Sequence, residues 1–483
     1  VARASVVIVG AGISGLSAAW ELSGAASGPD EDSPRIEIIE AADRVGGSLA
    51  VAEFADCTID LGADGFLARR PEVVQLVREL GLGDELEAID AGGAWIFLRG
   101  ALDELPSGLV LGVPTRASAL DEVKGLSASA RRRLRRDAWF PKRLELGEDA
   151  SIGEIVRAKF GREISYQFIE PMIGGIQAGR IDELSARSVF PSLFDAAKKG
   201  GSLMKALRPA PPTSSDDVAE EAASTPMFYT LRGGVGSLPT TLARHLRDRG
   251  VVLRTGVAVS ALRRTPSGNY PWEVDTAHTT TPADVVVMAT PANVTGRLLG
   301  AHDDALRVLE DITFASAAMV TFSVAAQNVT VPERGTGVLV PLGTKWSGEG
   351  SMMVTAVTLL DRKWPHLKKS GRVLLRAHVG RSDDERAMTL ADGELIDRVT
   401  SELAVILGHF GPIDDALVQR WPSSLPQYRV GHERLVGDAR RAASSLHVTL
   451  AGMAYDGVGI PASVGSGRRA ARETLELLDY ATR

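Results

Sequence analysis

The chain carries a single cysteine, Cys57. No intrachain disulfide is open to it. A secreted disulfide scaffold is excluded, as is any multi-cysteine metal or iron–sulfur site. A reducing, cytoplasmic compartment is the expected home. Long hydrophobic runs are missing too. No stretch reaches the ~18 uninterrupted apolar residues of a membrane-spanning helix, so none is expected. Positive charge is in deficit: 54 Lys and Arg face 61 Asp and Glu, a net charge of -7. That argues against a nucleic-acid partner. The eight histidines are scattered. They form no H-E-x-x-H or Ser/His/Asp pattern, so neither a metal nor a side-chain catalytic constellation is expected.

What is present is ordinary in bulk. The 483 residues are 44% hydrophobic and 24% charged, a globular composition with room for about three domains. Fifty glycines exceed the usual share. They cluster without a G-X-Y period, so each cluster needs a local explanation.

Val6-Val7-Ile8-Val9 is an apolar run that stops at Gly10, the pattern of a buried parallel strand. Helical spacing over Ile13–Leu22 and a second strand at Arg35–Glu40 complete a βαβ unit. Glu21 and the close glycines make Val6–Ala26 a strand, turn and helix rather than a signal peptide. Gly24–Pro34 and Pro209–Pro226 read as loops, the latter a flexible linker. Residues 115–170 read as mostly helix; residues 313–325, 337–341, 351–359 and 373–379 read as strands of a second, largely antiparallel sheet. His447–Ala451 is a late buried strand and Pro461–Leu478 the last helix. The first and last strands look alike, and the simplest topology puts both in one parallel sheet. The arginine run 131–136 has two readings. It is a solvated helix face, which is preferred, or a contact for a membrane surface or an acidic partner such as the next enzyme of a pathway.

Gly10-Ala11-Gly12-Ile13-Ser14-Gly15 is a G-x-G-x-x-G sequence between a strand and a helix. Gly10 suits the tight turn, Gly12 the close approach of a pyrophosphate, and Gly15 helix–strand packing. The helix N-terminus offers N–H groups and a positive dipole end to the phosphates. Glu40 closes the next strand. It can accept ribose hydroxyls and would repel a 2′-phosphate, which argues against NADP. The extension Ala41-Ala42-Asp43-Arg44-Val45-Gly46-Gly47 resembles the second motif of FAD proteins in the amine-oxidase-like group. Arg44 there could neutralise a phosphate.

Further segments narrow the resemblance. They are Asp60–Arg70, Gly174-Gly175-Ile176-Gln177-Ala178-Gly179, Arg232–Val235, Gly335–Pro341, Lys363-Trp364-Pro365-His366, Arg420-Trp421-Pro422 with Pro426-Gln427-Tyr428, and Gly457–Pro461. Together the chain resembles the porphyrinogen oxidases of haem biosynthesis, most closely their Gram-positive, coproporphyrinogen-oxidising branch, over nearly its whole length.

That resemblance implies α/β plus α+β architecture. A Rossmann-like FAD-binding domain would be built from residues 1–88, 227–300 and 415–483. An antiparallel-sheet substrate domain would take 89–110 and 301–414, and an inserted helical domain 111–208, with 209–226 a flexible loop. It implies noncovalent FAD in contact with Gly10, Gly12, Ile13, Ser14, Gly15, Glu40, Ala41, Arg44, Gly46, Gly47, Ser48, Gly62, Ala63, Asp64, Gly65, Val257, Trp421, Gly452, Val458, Gly459 and Ile460. Substrate would lie against Gly175 and Leu339. Arg70, with Arg69, Arg99 and Lys345, is a candidate partner for substrate propionates. Protoporphyrinogen-type enzymes place an arginine where this chain has Ala94, which favours the copro branch. Cys57 is expected to be a core thiol. The chemistry implied is hydride transfer from a saturated bridge carbon to flavin, reoxidised by molecular oxygen with release of hydrogen peroxide, over three two-electron rounds. Alternatives are a protoporphyrinogen oxidase, more distantly an amine oxidase or carotenoid desaturase, and a noncatalytic flavin-binding scaffold.

Overall fold

The structure, a computed structural model, describes residues 3–24, 33–90, 92–209, 226–265, 270–346 and 350–481. Most of the two expected loops, residues 25–32 and 210–225, lies outside the described residues. In chain order the principal elements are β1 (Ser5–Val9), α1 (Ile13–Leu22), β2 (Arg35–Ile39), β3 (Trp95–Leu98), α2 (Ala128–Trp139), α3 (Glu170–Gln177), β4 (Val252–Arg254) and β5 (Val285–Met288). They continue with β6 (Phe314–Ala325), β7 (Gly337–Leu339), β8 (Val354–Leu359), β9 (Arg372–Val379), α4 (Asp392–Leu407), β10 (Asp415–Pro426), β11 (Val448–Leu450) and α5 (Ile460–Ala481).

The chain divides into two compact units. The first comprises Val1–Glu87, Met227–Thr313 and Glu433–Arg483. Its five-stranded sheet has the order β4-β2-β1-β5-β11. All neighbours are parallel, with Val7 opposite Glu37 and Val286, and Val287 opposite Thr449. The first and last strands therefore share one sheet. Burial on both faces explains the unbroken apolar runs, since Val6, Val7 and Ile8 are fully buried. Helix α1 is buried nearly all round, Ser14 and Ser17 included.

The second unit comprises Ala88–Pro226 and Phe314–His432. Its seven-stranded sheet runs β10-β6-β9-β8-β7-β3 and then Ala101–Glu104. The β7–β3 pair is parallel and the rest antiparallel. Helix α4 lays Leu395, Val399, Leu403 and Ile406 on one face of this sheet, against Val320, Phe322, Val357 and Leu375. That is helical spacing meeting strand alternation. The helices form a second apolar cluster around Ile155, Phe160, Phe168 and Leu193. Helical segment and sheet thus fall in one unit, each with its own core.

Residues 415–432 also belong to the second unit, not with the nucleotide-binding segments to which the sequence assigned them. Pro422 and Pro426 argue against a strand there, yet β10 pairs along most of β6. It is an edge strand with a register shift beside Ala315/Ala317, the setting in which a strand tolerates proline. Helix α2 buries Ala130, Leu134 and Asp137, while Arg132, Arg133, Arg135 and Arg136 are exposed. Among the described residues no helix is long and apolar enough to cross a membrane, and no cluster of metal-ligating side chains occurs.

Candidate functional site

The first unit contains a cradle made mainly of backbone. Gly10 has φ +107° and its N–H donates to Ile39 O at 2.8 Å. A Cβ at Gly10 would lie 2.6 Å from Ala289 O, and one at Gly15 only 2.0 Å from Gly10 O. Both positions need glycine for packing. Gly12 differs: a Cβ there would meet nothing within 4 Å. Gly12 caps α1 without a side-chain hydrogen bond, and the first turn holds no acid. The helix N-terminus therefore opens onto free space with its N–H donors uncapped, which fits a diphosphate.

Glu40 sits at the end of β2, half-buried. Its Oε2 accepts Ala11 N–H at 2.6 Å and its Oε1 accepts Ala42 N–H at 2.8 Å. Two backbone donors fix the carboxylate and leave lone pairs for hydroxyl groups. Val257 N–H donates to Glu40 O at 2.9 Å, and Gly256 N–H to Ala42 O at 2.7 Å. Val257 is thereby stitched beside the acid. Ala41 is exposed next to it.

Gly46 lies against the glycine turn. Its N–H donates to Ala11 O at 2.9 Å, and it bridges Gly12. Gly46 and Gly47 both have positive φ, +103° and +59°. Arg44 does not stand clear of this loop. Its guanidinium donates to Gly47 O at 2.7 Å, Val45 O at 3.2 Å and Leu49 O at 3.3 Å. It braces the carbonyls around half-buried Ser48. Leu61 N–H donates to Ala50 O at 2.8 Å, which ties the residue before Gly62, Ala63, Asp64 and Gly65 to the end of this loop.

Asp60, for which the sequence suggested no role, organises this side. Its carboxylate accepts Gly236 N–H at 2.6 Å and Val235 N–H at 3.2 Å. The signal was present: an acid directly before a glycine-rich turn, with a second glycine cluster elsewhere in need of a cap.

The C-terminal segment closes the cradle. Gly452, Gly457 and Gly459 have φ of +135°, +120° and +109°. Gly452 N–H donates to Ser466 Oγ at 2.9 Å. A Cβ on the adjacent Gly467 would fall 2.1 Å from Ser14 O, so α5 packs directly on α1. Val458 and Ile460 flank the start of α5. Burial alone would push the Asp456 carboxyl up, but Arg469, Ser466 and Arg440 outweigh it and hold it below the ordinary carboxylate range. Every sequence-predicted cofactor residue lies in this unit except Trp421, which is half-buried on β10 of the second.

The second unit has a surface of another kind. Helix α3 packs on β7 and β8 and leaves Gly175 and Ile176 exposed. A Cβ at Gly175 would meet nothing within 4 Å. On the sheet face opposite the α4 core, a cross-strand row runs Gln419–Met319–His378–Ala356–Leu339. All its members are half-buried, a mainly apolar platform with two polar members, Gln419 and His378. His378 Nε2 lies 3.0 Å from Thr358 Oγ1. Gly175 and Leu339 thus share one unit. Arg70 belongs to the other unit, where Glu72 takes its guanidinium at 2.6 Å. Arg69 and Lys345 are exposed, and Arg99 reaches Glu163 at 3.5 Å. Cys57 is buried on a β-hairpin, as a core thiol should be.

The family described as flavin containing amine oxidoreductase matches residues 13–475. The coproporphyrinogen III oxidase of Bacillus subtilis is 31% identical over 476 residues, 98% of each chain. The protoporphyrinogen oxidase of Bos taurus is 30% identical over 98% of each chain. A solved structure, of a provisionally named protoporphyrinogen oxidase from Exiguobacterium sp. 255-15, matches with TM-score 0.84 at 28% identity and covers 99% of each chain.

Proposed function

The chain belongs to the flavin-containing amine oxidoreductases, and from that membership we propose that it is an oxygen-dependent coproporphyrinogen III oxidase of haem biosynthesis. Its cofactor is FAD, and the enzyme is an FAD-dependent oxidase. FAD supplies a hydride acceptor for a saturated bridge carbon, with molecular oxygen as the final oxidant and hydrogen peroxide as by-product.

The protein's part is binding and orientation. The α1 N-terminus, with Gly12 open beside it, holds the diphosphate. Glu40 accepts the ribose hydroxyls. Gly46, Gly47 and the Gly62–Gly65 turn bring backbone close, Gly452 starts the turn that carries Val458–Ile460, and Val458–Ile460 with the α5 N-terminus supply N–H groups toward the ring. Attachment is noncovalent on this reading: the single cysteine is buried in a hairpin and offers no thiol for a cysteinyl link. The macrocycle rests on the half-buried platform of the second unit against Gly175 and Leu339. Aromatisation drives the reaction, so no strong base is required. The single cysteine suits a cytoplasmic setting. The exposed arginines of α2 remain available for brief contact with the next enzyme or a membrane surface.

The observation that carries the substrate assignment is the full-length identity with coproporphyrinogen III oxidases. A protoporphyrinogen IX activity is the second reading, favoured by the bovine relative. The test mixes the flavin-loaded protein with anaerobically prepared coproporphyrinogen III, then admits air. Porphyrin fluorescence is expected to rise faster than in a protein-free control, and faster than with protoporphyrinogen IX. A faster rise with the latter selects the second reading. No rise above control with either rejects both and leaves a flavin-binding scaffold.

A further inference from the structure

A buried guanidinium stands at the end of β9, next to α3. Arg381 is only 7% exposed. It lies in a turn where Asp384 N–H donates to its carbonyl at 3.1 Å. The next residue, Ser382, donates its N–H to Ala178 O at 2.7 Å. Ala178 is the left-handed C-cap of α3, about one turn, ~5 Å along the axis, beyond Gly175. Three residues before Arg381, at the end of β9, is His378, a member of the half-buried platform.

The carboxylates around Arg381 are committed elsewhere. Glu170 Oε1 accepts Arg180 Nε at 3.1 Å and its Oε2 accepts Ile181 N–H at 2.9 Å. Asp383 takes Arg180 Nη1 at 2.5 Å. Asp384 takes Arg386 through Nε at 2.8 Å and Nη2 at 2.6 Å. The Arg381 side chain makes no hydrogen bond or ion pair with the described residues; these groups reach it only as charges at longer range. Burial lowers its pKa, as expected for a cation short of partners.

Such a cation is costly to bury. The negative end of α3 and the Glu170 charge offset part of that cost. Neither fills the two-pronged donor face of a guanidinium, which matches a carboxylate. Exposed Arg69 and Lys345, and Arg70 already on Glu72, gain less from an incoming anion because water or a neighbour satisfies them.

We propose that Arg381 is the anchor for a propionate carboxylate of the tetrapyrrole on the second unit's platform, next to Gly175; the assignment rests on the functional reading above. It makes Arg381 a residue that sets affinity for substrates carrying carboxylates. It acts in binding, not in bond-breaking.

The test uses flavin-loaded protein and two ligands, coproporphyrin III and its uncharged tetramethyl ester, with binding followed by porphyrin fluorescence. Arg381→Gln is expected to weaken coproporphyrin binding by ~30-fold or more. It should leave ester affinity and flavin content unchanged, and raise KM for coproporphyrinogen more than it lowers kcat. Arg381→Lys keeps the charge without the fork and should fall between the two. Equal coproporphyrin affinity in wild type and Arg381→Gln overturns the proposal while the functional reading stands. Equal losses for acid and ester overturn it too, as the mark of a merely structural role. If Arg381→Gln does not fold, Arg381→Lys decides, and an unchanged affinity rejects the anchor. Wild-type protein that neither binds coproporphyrin nor oxidises coproporphyrinogen rejects the functional reading, and the anchor with it.

Discussion

The two units present opposite kinds of surface. In the first, the groups that face the cradle are mainly backbone: the α1 N-terminus, the Gly46–Gly47 loop and the turn before α5. Side chains such as Glu40 and Asp60 act largely by gripping backbone N–H groups. In the second, the facing groups are side chains on a sheet, and charges are neutralised through pairs such as Glu170–Arg180 and Arg180–Asp383. The difference predicts two kinds of fragility. A backbone cradle is broken by adding atoms. A side-chain platform is broken by removing charge.

The sharpest test of the first half is a pair of glycines. Gly15→Val places carbon where a Cβ already lies 2.0 Å from Gly10 O and 3.1 Å from Ala289 Cβ. The strain exceeds about 4 kcal/mol, and soluble, yellow protein should not be recovered. Gly12→Ala adds its methyl group to open space, at a φ of -66° that alanine accepts. Its flavin-free melting temperature should match wild type while flavin affinity drops by more than tenfold. A Gly12→Ala protein that holds flavin normally would remove the diphosphate from the α1 N-terminus.

The second half is tested at Glu170, whose carboxylate is fully buried. Burial pushes its pKa up even though Ile181 N–H, Arg180 and Arg381 act to lower it. Glu170→Ala leaves Arg180 with Asp383 alone and takes from Arg381 the largest of the negative charges that act on it. Breaking a buried pair this way costs about 3–5 kcal/mol, to be read as a lower urea midpoint. A loss under about 1 kcal/mol would mean that water already does the pairing.

The same contrast explains which parts of the molecule could be read in advance. Gly10, Gly12, Gly15 and Glu40 are legible because backbone recognition restricts residue type, and the spacing follows from one strand, one turn and one helix. The parallel sheet was legible from its apolar runs. Strand β10 was not, because Pro422 is tolerable only at an edge, and edge status depends on the whole sheet. Asp60 and Arg381 were hidden for a related reason: the acid before a glycine turn is visible at Asp60 but its partners lie some 175 residues away, and what marks Arg381 is burial without a side-chain partner among the described residues. Neither property is written in local sequence. His378 was one scattered histidine until strand register set it in a row.

A smaller effect, confined to the second unit, concerns Asp361. Burial raises its pKa from 3.8 to about 6. The folded state then holds this proton more tightly than the unfolded chain does, so stability declines as pH rises from about 4 to about 6 and stays lower above. Asp361→Asn removes that slope. At pH 7 it should gain up to about 3 kcal/mol, since each tenfold difference in proton affinity between folded and unfolded chain is worth about 1.4 kcal/mol. Urea midpoints of both proteins at pH 4, 5, 6 and 7 give the measurement, and parallel curves would refute it. The glycines of the first unit predict no such slope.

Arg44 could break the comparison, because it is a charged side chain inside a backbone cradle. The sequence suggested that it neutralises phosphate. The structure has it donating to Gly47, Val45 and Leu49 carbonyls, so it serves by holding the loop that carries Gly46 and Gly47. The two roles separate by charge and by salt. A phosphate partner would be replaced in good part by Arg44→Lys, and its loss in Arg44→Met would shrink at high ionic strength. A brace requires the planar fork, which lysine lacks. Arg44→Lys and Arg44→Met are therefore expected to weaken flavin binding alike, by about 1 kcal/mol or roughly fivefold, with little dependence on salt. Rescue by lysine at low salt alone would return Arg44 to the phosphate and make the cradle less purely a backbone device.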